Sequence, residues 1–377
     1  MIYADHAATT KLDMDAFEAM KPFFLEDYGN ASQPYAFARR PKKALNEARE
    51  TIASCIGAEP SEIYFTSGGS ESDNWALKGT MLYKKGELIT SAVEHHAVLH
   101  ACESLEKLSC SVRYLPVSGN CAVSAKSLED CLSESSAGEK LVSIMYANNE
   151  VGTIQPIAEL CGIAHERGAL FHTDAVQAIG HVDVDVKKLG VDLLSASAHK
   201  FGGPKGVGFL YVKEGTQLCP YIDGGAQERA MRAGTENVAG IVGMAAALEK
   251  SCAHMKARNE HLLELEALLL NALKSEDGEG RRLDFRRNGD ANHIAGNVSL
   301  SFRQAEGEVL LHRLDLMGIC VSTGSACNSK STELSHVLTA MAVPLEYAYG
   351  TVRISLGHEN TTEDVKTIAA ALRKILL

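Results

Sequence analysis

The sequence has no CxxC pair, although it contains ten cysteines. The spacing of a zinc ribbon or of a thioredoxin-type dithiol is therefore absent, and we predict no metal site. Single cysteines scattered through a chain of 377 residues usually serve as small buried hydrophobic side chains. We expect this of every cysteine except Cys327, and the apolar residues that precede Cys320 predict that its side chain is packed.

Nucleotide-binding signatures are missing as well. No GxGxxG follows a strand-like run and no GxxxxGK[ST] occurs, so NAD and ATP lose their usual support. The chain also lacks a long run of like charges and any apolar run near the roughly 18 residues of a membrane span. With a net charge of −11, it predicts no direct nucleic-acid partner, no membrane contact and a cytoplasmic location.

Short apolar runs alternate with helical patterns through the middle of the chain. The strand-like runs are 87–90, 141–147, 168–175 and 191–197, and amphipathic stretches between them include 96–108 and 157–168. This alternation predicts βαβ units and a mainly parallel sheet. Such a sheet binds its ligands beyond the carboxyl ends of its strands.

The chain is long enough for about two domains. Residues 237–274 carry a helical pattern far longer than its neighbours, which predicts a helix that bridges two domains. Strand-like and helical patterns after it predict a smaller α+β domain. We expect a large domain over 13–254, and a small domain formed by 1–12 together with 255–377.

The stretch FTSGGSESDNWALKG (65–79) joins a strand-like end to a helical pattern through a turn of small residues. Gly68 and Gly69 let the backbone approach a ligand closely, and Ser70 adds a hydroxyl. The free amides and partial positive charge of a helix start favour a phosphate there. The commoner explanation of such a turn is an N-cap, with Ser70 capping a helix that begins at Glu71.

Asp174 directly follows the apolar run in LFHTDAVQAIG. A carboxylate at the carboxyl end of a parallel strand can hold a cation, a ribose hydroxyl or a protonated ring nitrogen. It can equally be the N-cap of a following helix.

Lys200 lies at the end of the next run, in SASAHKFGGPKG, beside Ser197 and His199. A dry, polar pocket disfavours the cationic amine, so the pKa of such a lysine falls and the amine becomes a nucleophile. That suits a Schiff base with an aldehyde cofactor. Lys205, in the loop after Pro204, is expected to be a solvated charge.

These three features converge on pyridoxal 5′-phosphate (PLP). A helix start would hold the phosphate, Asp174 would pair with the protonated ring nitrogen, and Lys200 would bind the aldehyde. Their combination is far more specific than any one of them.

Several segments resemble those of the cysteine desulfurases, which are class V members of the aspartate-aminotransferase-like fold. They are VEHHAVL, NNEVGTIQPI, HTDAVQAIGH, SASAHKFGGPKGVG, MRAGTENVAGIVG and STGSACNSKSTELSHVL. The resemblance covers essentially the whole chain. It implies an α/β fold, the PLP-dependent transferase fold type I, in which a large domain with a mainly parallel seven-stranded sheet accompanies a smaller α+β domain.

The resemblance also implies a role for each matching residue. Lys200 would carry the cofactor, and His95 would stack over its ring and move protons. Thr235 would reach a phosphate of the partner subunit, which implies a homodimer with shared sites. Arg353, with Asn149, would hold the substrate carboxylate. The residues it assigns to the cofactor are Gly69, Ser70, Asn149, Asp174, Gln177, Ser197, His199, Lys200 and Thr235.

Cys327 distinguishes between chemistries within this fold. The run around it is rich in Ser, Thr, Gly and Asn and reads as a loop, so its thiol would be a nucleophile on a tether. The length of this segment resembles the group of desulfurases that serves iron–sulfur assembly. We therefore expect L-cysteine as substrate, a persulfide on Cys327, and a sulfur-acceptor protein such as an iron–sulfur scaffold as partner.

Two classes of alternative stay open. A selenocysteine lyase or an aminotransferase would use the same fold, and a sulfur-carrier or scaffolding protein would dock partners without needing the catalytic set. The segment GNASQPYAFAR (29–39) also departs from the pattern usual in the family, at Ala31, Gln33, Tyr35 and Ala38. The rim of the site is expected to differ there.

Overall fold

A computed structural model describes residues 1–82, 86–276, 278, 280–323 and 334–377. The strands are β1 Ile2–Tyr3, β2 Ile63–Thr66, β3 Gly86–Ser91, β4 Ser111–Leu115, β5 Glu139–Ser143, β6 Leu170–Asp174, β7 Leu193–Ser197, β8 Gly208–Val212, β9 Phe285–Asn288, β10 Asn297–Phe302, β11 Ile319–Cys320 and β12 Thr351–Ser355.

The helices longer than one turn are α1 Met14–Met20, α3 Arg39–Ile56, α4 Gly69–Met81, α5 His96–Glu106, α6 Ala125–Glu134, α7 Ile157–Glu166, α10 Val238–Ala253, α11 Met255–Lys274, α12 Gly307–Leu316, α13 His336–Ala340 and α15 Thr362–Leu376. The single-turn helices are α2 Pro22–Leu25, α8 Val186–Leu189, α9 Gln227–Ala230 and α14 Leu345–Ala348.

Seven strands form one sheet in the order β2-β8-β7-β6-β5-β3-β4. The five strands β7, β6, β5, β3 and β4 are all parallel to one another. Strand β8 runs antiparallel to both of its neighbours, β2 and β7. The mainly parallel seven-stranded sheet is thus confirmed. The carboxyl ends of β2, β6 and β7 meet at one edge, because β2 and β7 both oppose β8.

Both faces of this sheet are covered. Leu193 packs into an apolar cluster with Trp75 and Val98 of α4 and α5, whereas its neighbour Leu194 packs into another with Ile52 of α3. Successive strand residues point to opposite faces, so the run in β7 is hydrophobic throughout.

A second core is built from β9, β10 and β12 with α11, α12 and α15. The first residues of the chain join it, since β1 pairs in parallel with β11 and Ala4 is buried in the same cluster. The single long helix expected over 237–274 is wrong: α10 ends at Ala253 and α11 begins at Met255. His254 between them has φ −105° and ψ 5°, which interrupts the helix.

Candidate active site

One cavity of about 690 Å³ opens where the carboxyl ends of β2, β6 and β7 meet. Its wall combines residues that follow these strands with residues from the N-terminal segment and from β12. The predicted site residues that line it are Gly69, Ser70, His95, Asn149, Asp174, Gln177, Ser197, His199, Lys200 and Arg353.

One predicted site residue lies elsewhere, and another falls outside the described residues. Thr235 is exposed and lies outside the cavity wall. Cys327 belongs to 324–333 and is outside the described residues. Lys205, expected to be solvated, is exposed at the rim of the cavity.

The glycine turn before α4 packs closely against the segment that follows β6. Gly68 is the N-cap with φ 147°, a conformation that disfavours side chains, and a Cβ on Gly69 would lie 2.5 Å from Val176 Cγ2. The helix begins at Gly69, two residues earlier than expected, so Ser70 is not the cap and is exposed. Unpaired amides of the first turn therefore face this end of the cavity.

Lys200 follows β7 in a short 3-10 turn, Ala198–Lys200. Its Nζ donates hydrogen bonds to the carbonyl oxygens of Ala7 at 2.7 Å and Ala8 at 2.9 Å. The N-terminal segment thus holds the amine at the cavity. The nearby positive charge, after burial, contributes to lowering the pKa of His199 to about 4.

Asp174 ends β6, and its carboxyl group is buried at the cavity. Burial raises the pKa of Asp174 to about 6, although the Val176 amide and the charge of Lys200 oppose the rise. Its Oδ1 accepts a hydrogen bond from Val176 N at 2.9 Å. The residues that follow form a turn rather than a helix, so the expectation of a helix N-cap is wrong.

His95 is the N-cap of α5, and its Nδ1 accepts a hydrogen bond from Ala97 N at 3.1 Å. Because Nδ1 accepts, the proton of the neutral ring is on Nε2. Burial, assisted by the charge of Lys200, lowers the pKa of His95 to about 4. The ring is therefore neutral at physiological pH and offers a donor.

Arg353 on β12 is 4% exposed, and its guanidinium is fixed by two partners. It donates to Asp5 Oδ1 at 2.7 Å and to the carbonyl oxygen of Asn149 at 2.8 Å. Its Nε is buried without a hydrogen-bond partner in the described part of the chain. A cation oriented in this way suits a carboxylate ligand.

Sequence reasoning missed Asp73, Glu150 and His336, which line the cavity, and Asp5, which binds the cavity residue Arg353. Burial raises the pKa of Glu150 to about 7, although Ser335 donates to it at 2.5 Å and Arg353 adds a positive charge. Asp73 lies within the stretch 65–79, but nothing in that pattern indicated that its side chain reaches the cavity. The cavity contacts come from the tertiary fold, so local patterns gave no signal for them.

The comparisons with known proteins agree with this geometry. The family model for aminotransferase class-V matches residues 2–368. The cysteine desulfurase IscS of Dictyoglomus turgidum is 50% identical over 379 residues, covering 100% of this chain and 94% of the relative. A solved NifS-like protein superposes with a TM-score of 0.91 at 37% identity, covering 100% of this chain and 99% of that one.

This chain belongs to the cysteine desulfurases of the class-V aminotransferase family. The expected family, enzyme class, PLP fold type I and dependence on PLP are thereby confirmed. A further solved structure, SspA in complex with cysteine, is 35% identical with a TM-score of 0.83 and covers 96% of this chain and 100% of that one.

The residues of the cavity fit PLP. The first turn of α4 lines the cavity with amides that a helix start leaves without a helical partner. A buried carboxyl, Asp174, and a lysine amine, Lys200, line the same cavity beside the neutral ring of His95. These groups match the phosphate, the ring nitrogen, the aldehyde and the ring face of the cofactor.

The unusual segment 29–39 lies away from the cavity wall of this desulfurase. Ala31 and Ala38 are buried, whereas Tyr35 is 48% exposed.

Within the described residues, no helix is long and apolar enough to cross a bilayer.

Proposed function

We propose that this desulfurase converts L-cysteine to L-alanine and collects the sulfur as a persulfide on Cys327. The observation that carries the proposal is one cavity that brings Lys200, Asp174, His95 and Arg353 together. The likeness to a solved SspA structure that contains cysteine supports the choice of substrate.

The cofactor half of the reaction uses groups that follow the strands. When bound, PLP draws electrons from the substrate Cα into its ring. The turn at Gly69 and Ser70, with Ser197 and His199, would hold the phosphate. Asn149 and Gln177 would contact the side of the ring that bears the oxygen.

Asp174 would keep a proton on the cofactor ring, whereas Lys200 would remove one from the substrate. The ionised Asp174 carboxylate would hold a proton on the ring nitrogen, which strengthens the electron withdrawal. Lys200 Nζ would bind the aldehyde and, once substrate displaces it, would take the α-proton. His95, neutral with its proton on Nε2, would pack over the ring and donate a hydrogen bond.

Arg353 would bind the substrate carboxylate. Its guanidinium is already fixed by Asp5 and by the carbonyl of Asn149, so little side-chain freedom is lost on binding.

Sulfur transfer balances without an external oxidant. The Cys327 thiolate attacks the substrate Sγ, an S–S bond forms, and the Cβ–Sγ bond breaks with its electron pair left on Cβ. Protonation of Cβ then gives alanine, so cysteine plus a thiol becomes alanine plus a persulfide. The assignment of Cys327 as the nucleophile rests on the sequence around it and on the family, because the residue lies outside the described residues.

The test compares Cys327→Ala with the control Cys320→Ala, which lies in β11. We expect Cys327→Ala to lose alanine and sulfide release from L-cysteine, and the control to keep both. Full retention of both products by Cys327→Ala would refute the nucleophile. Faster turnover of L-selenocysteine, or of amino donor–keto acid pairs, would favour the alternative enzymes.

We also propose a homodimer in which Thr235 completes the site of the partner. Large hydrophobic residues with more than a third of their surface exposed are concentrated in one N-terminal segment: Met14, Phe17, Phe24, Leu25, Tyr28, Tyr35 and Phe37. Ser32 Oγ in this segment donates to Glu236 Oε1 at 3.2 Å, so the segment lies beside the residue that follows Thr235. An apolar face of this kind favours a protein partner.

Subunit complementation tests the shared site. A hybrid of Lys200→Ala and Thr235→Ala subunits keeps one intact site, so mixing the two inactive or impaired variants should restore about a quarter of wild-type activity. A hybrid of Lys200→Ala and Asp174→Asn subunits should restore no activity. Each of these residues serves the site of its own subunit, so both sites of the hybrid carry a change. Equal recovery in both mixtures would contradict the proposal.

Three broader assignments stay proposals. We propose a large domain over 13–254 and a small one over 1–12 and 255–377, in line with the separate apolar cores. We propose that the persulfide supplies an iron–sulfur scaffold, which the IscS relatives support. A cytoplasmic location stays a prediction from the sequence.

A further inference from the structure

A second buried carboxyl group, Asp73, lies beside the same cavity as Asp174. It projects from α4, the helix that begins with the glycine turn, and it is 1% exposed. Its Oδ1 has no hydrogen-bond partner among the described residues and lies 3.7 Å from His172 Nε2. A buried carboxyl oxygen without a donor is costly if the group is ionised.

The fold brings Asp73 to the face of the sheet that carries Asp174. His172 and Asp174 are two residues apart on β6, so both side chains point to the same face of the sheet. Ser195 on β7 is the register partner of Asp174, and its Oγ lies 3.0 Å from His172 Nε2. A hydrogen bond from Ser195 also reaches the Asp73 carboxyl. Asp73, Ser195 and His172 therefore form one buried network beside Asp174.

This network contains no positive charge that could balance both the Asp73 and the Asp174 carboxylates. Burial lowers the pKa of His172 to about 3, so its ring is neutral and has a single N–H. The charged and titratable groups that bear on the two carboxyls are Glu94 and Lys200, in addition to this histidine. Lys200 is the cation among them, and it acts on Asp174.

We propose that Asp73 and Asp174 share a single proton, with Asp73 the neutral member, and that Asp73 is a positioning residue that keeps Asp174 ionised for the cofactor ring nitrogen. Like charges in close proximity cannot both persist in a buried site. The role toward the ring nitrogen rests on the proposed function of Asp174, whereas the sharing of a proton does not.

The directions of the pKa shifts agree with this order. Burial and the charge of Asp174 raise the pKa of Asp73 well above its usual range. The pKa of Asp174 rises less, to about 6, because Lys200 and the Val176 amide favour its ionised form. The proton therefore stays on Asp73 when the pair loses one.

The first experiment titrates both side chains by ¹³C NMR in full-length protein labelled at the aspartate carboxyl carbon. We expect Asp174→Asn to lower the apparent pKa of Asp73 by about one unit or more, because a neighbouring charge is lost, and Asp73→Asn to leave that of Asp174 near its wild-type value, because the amide replaces a neutral acid. Glu94→Gln is the matched control, since it removes a buried carboxyl that binds Met145 N and Ser91 instead, and it should shift the pKa of Asp73 less than Asp174→Asn does. Independent titration of the two groups would overturn the proposal.

The second experiment follows the ring nitrogen of ¹⁵N-labelled PLP in the holoenzyme. Asp73→Asn mimics the neutral acid, so its ring nitrogen should stay protonated as in the wild type. Asp73→Leu removes the polar partner, and its signal should move toward the unprotonated value. Equal signals in these two variants would overturn the positioning role. If Asp174→Asn leaves both the signal and PLP affinity unchanged, the proposed function of Asp174 fails instead.

Discussion

The cavity wall has two halves whose side chains reach it by different routes. The sheet half consists of Gly69, Asp174, Ser197 and Lys200, which end or follow strands of a single sheet. The junction half consists of Ala7, Asn149, Glu150 and Arg353, which come from the N-terminal segment, a turn after β5, and β12, and Asp5 supports it by binding Arg353.

The halves differ in what fixes their geometry. In the sheet half, backbone pairing aligns the strand ends, as when Thr66 and Ser197 both pair with Gly208. In the junction half, an ion pair joins Asp5 and Arg353, which are 348 positions apart in sequence. The strand ends of the first half can be recognised in local sequence and are then aligned by the sheet, whereas the contacts of the second half require the two cores to be assembled.

The largest expected effect is in the sheet half. Lys200→Ala should lower kcat for cysteine by about a thousandfold or more, because the amine that binds the aldehyde and moves the proton is lost. Borohydride reduction should then attach no cofactor at position 200, as read by peptide mass spectrometry. Lys205→Ala, at the exposed rim of the cavity, is the control, and position 200 should keep its label in that variant. Turnover that survives in Lys200→Ala would break the comparison.

The next effect is the pH dependence of cofactor binding. Asp174→Asn should weaken PLP binding by about 10- to 100-fold at pH 8, because a charge-assisted contact is lost. In the wild type, affinity should fall as pH drops through about 6, where Asp174 takes up a proton. The variant should lack this transition.

The stability of the apoprotein should respond in the opposite direction. The pKa of Asp174 is raised on folding, from about 3.9 in the unfolded chain to about 6. A raised pKa means that its contribution is most favourable at low pH and is lost as pH rises through this window. The difference in unfolding free energy between wild type and Asp174→Asn should therefore change between pH 4 and 6. A difference independent of pH would contradict the assigned shift.

A smaller effect is expected in the junction half. Asp5→Asn removes the charge that orients Arg353, so KM for cysteine should rise about tenfold with a smaller change in kcat. Asp13→Asn is a matched control, because Asp13 also forms an ion pair, with Lys250 at 2.9 Å, away from the cavity wall. An equal rise in KM for both variants would show that the Asp5 contact has no specific role.

These differences explain how far sequence alone reaches. The alternation of runs and the position of Asp174 and Lys200 predict the sheet and its functional edge, because strand ends follow from local pattern. The partners of Arg353 and the network of Asp73 depend on side chains brought together by tertiary packing, which no single run encodes. The break at His254 was missed because one helical periodicity continues through it.

The smallest expected effect concerns the turn before Thr235, which is held differently from either half. Glu228, Arg229 and Ala230 have φ values of 44°, 59° and 61° in succession. Arg49 fixes this turn by binding Glu228 at 2.7 Å. Left-handed conformations cost about 1–2 kcal/mol for a residue with a Cβ. Ala230→Gly should therefore raise the free energy of unfolding by about 1 kcal/mol, measured by urea denaturation.

Ala257→Gly is the matched control, because it makes the same substitution at an exposed position within α11. There the backbone is helical, so glycine should lower the free energy of unfolding by about 1 kcal/mol. Opposite signs for one chemical change would show that backbone conformation, and not side-chain volume, sets the effect. If Ala230→Gly also destabilises, the turn stores no strain that glycine relieves, and its geometry is then set by the Arg49–Glu228 pair.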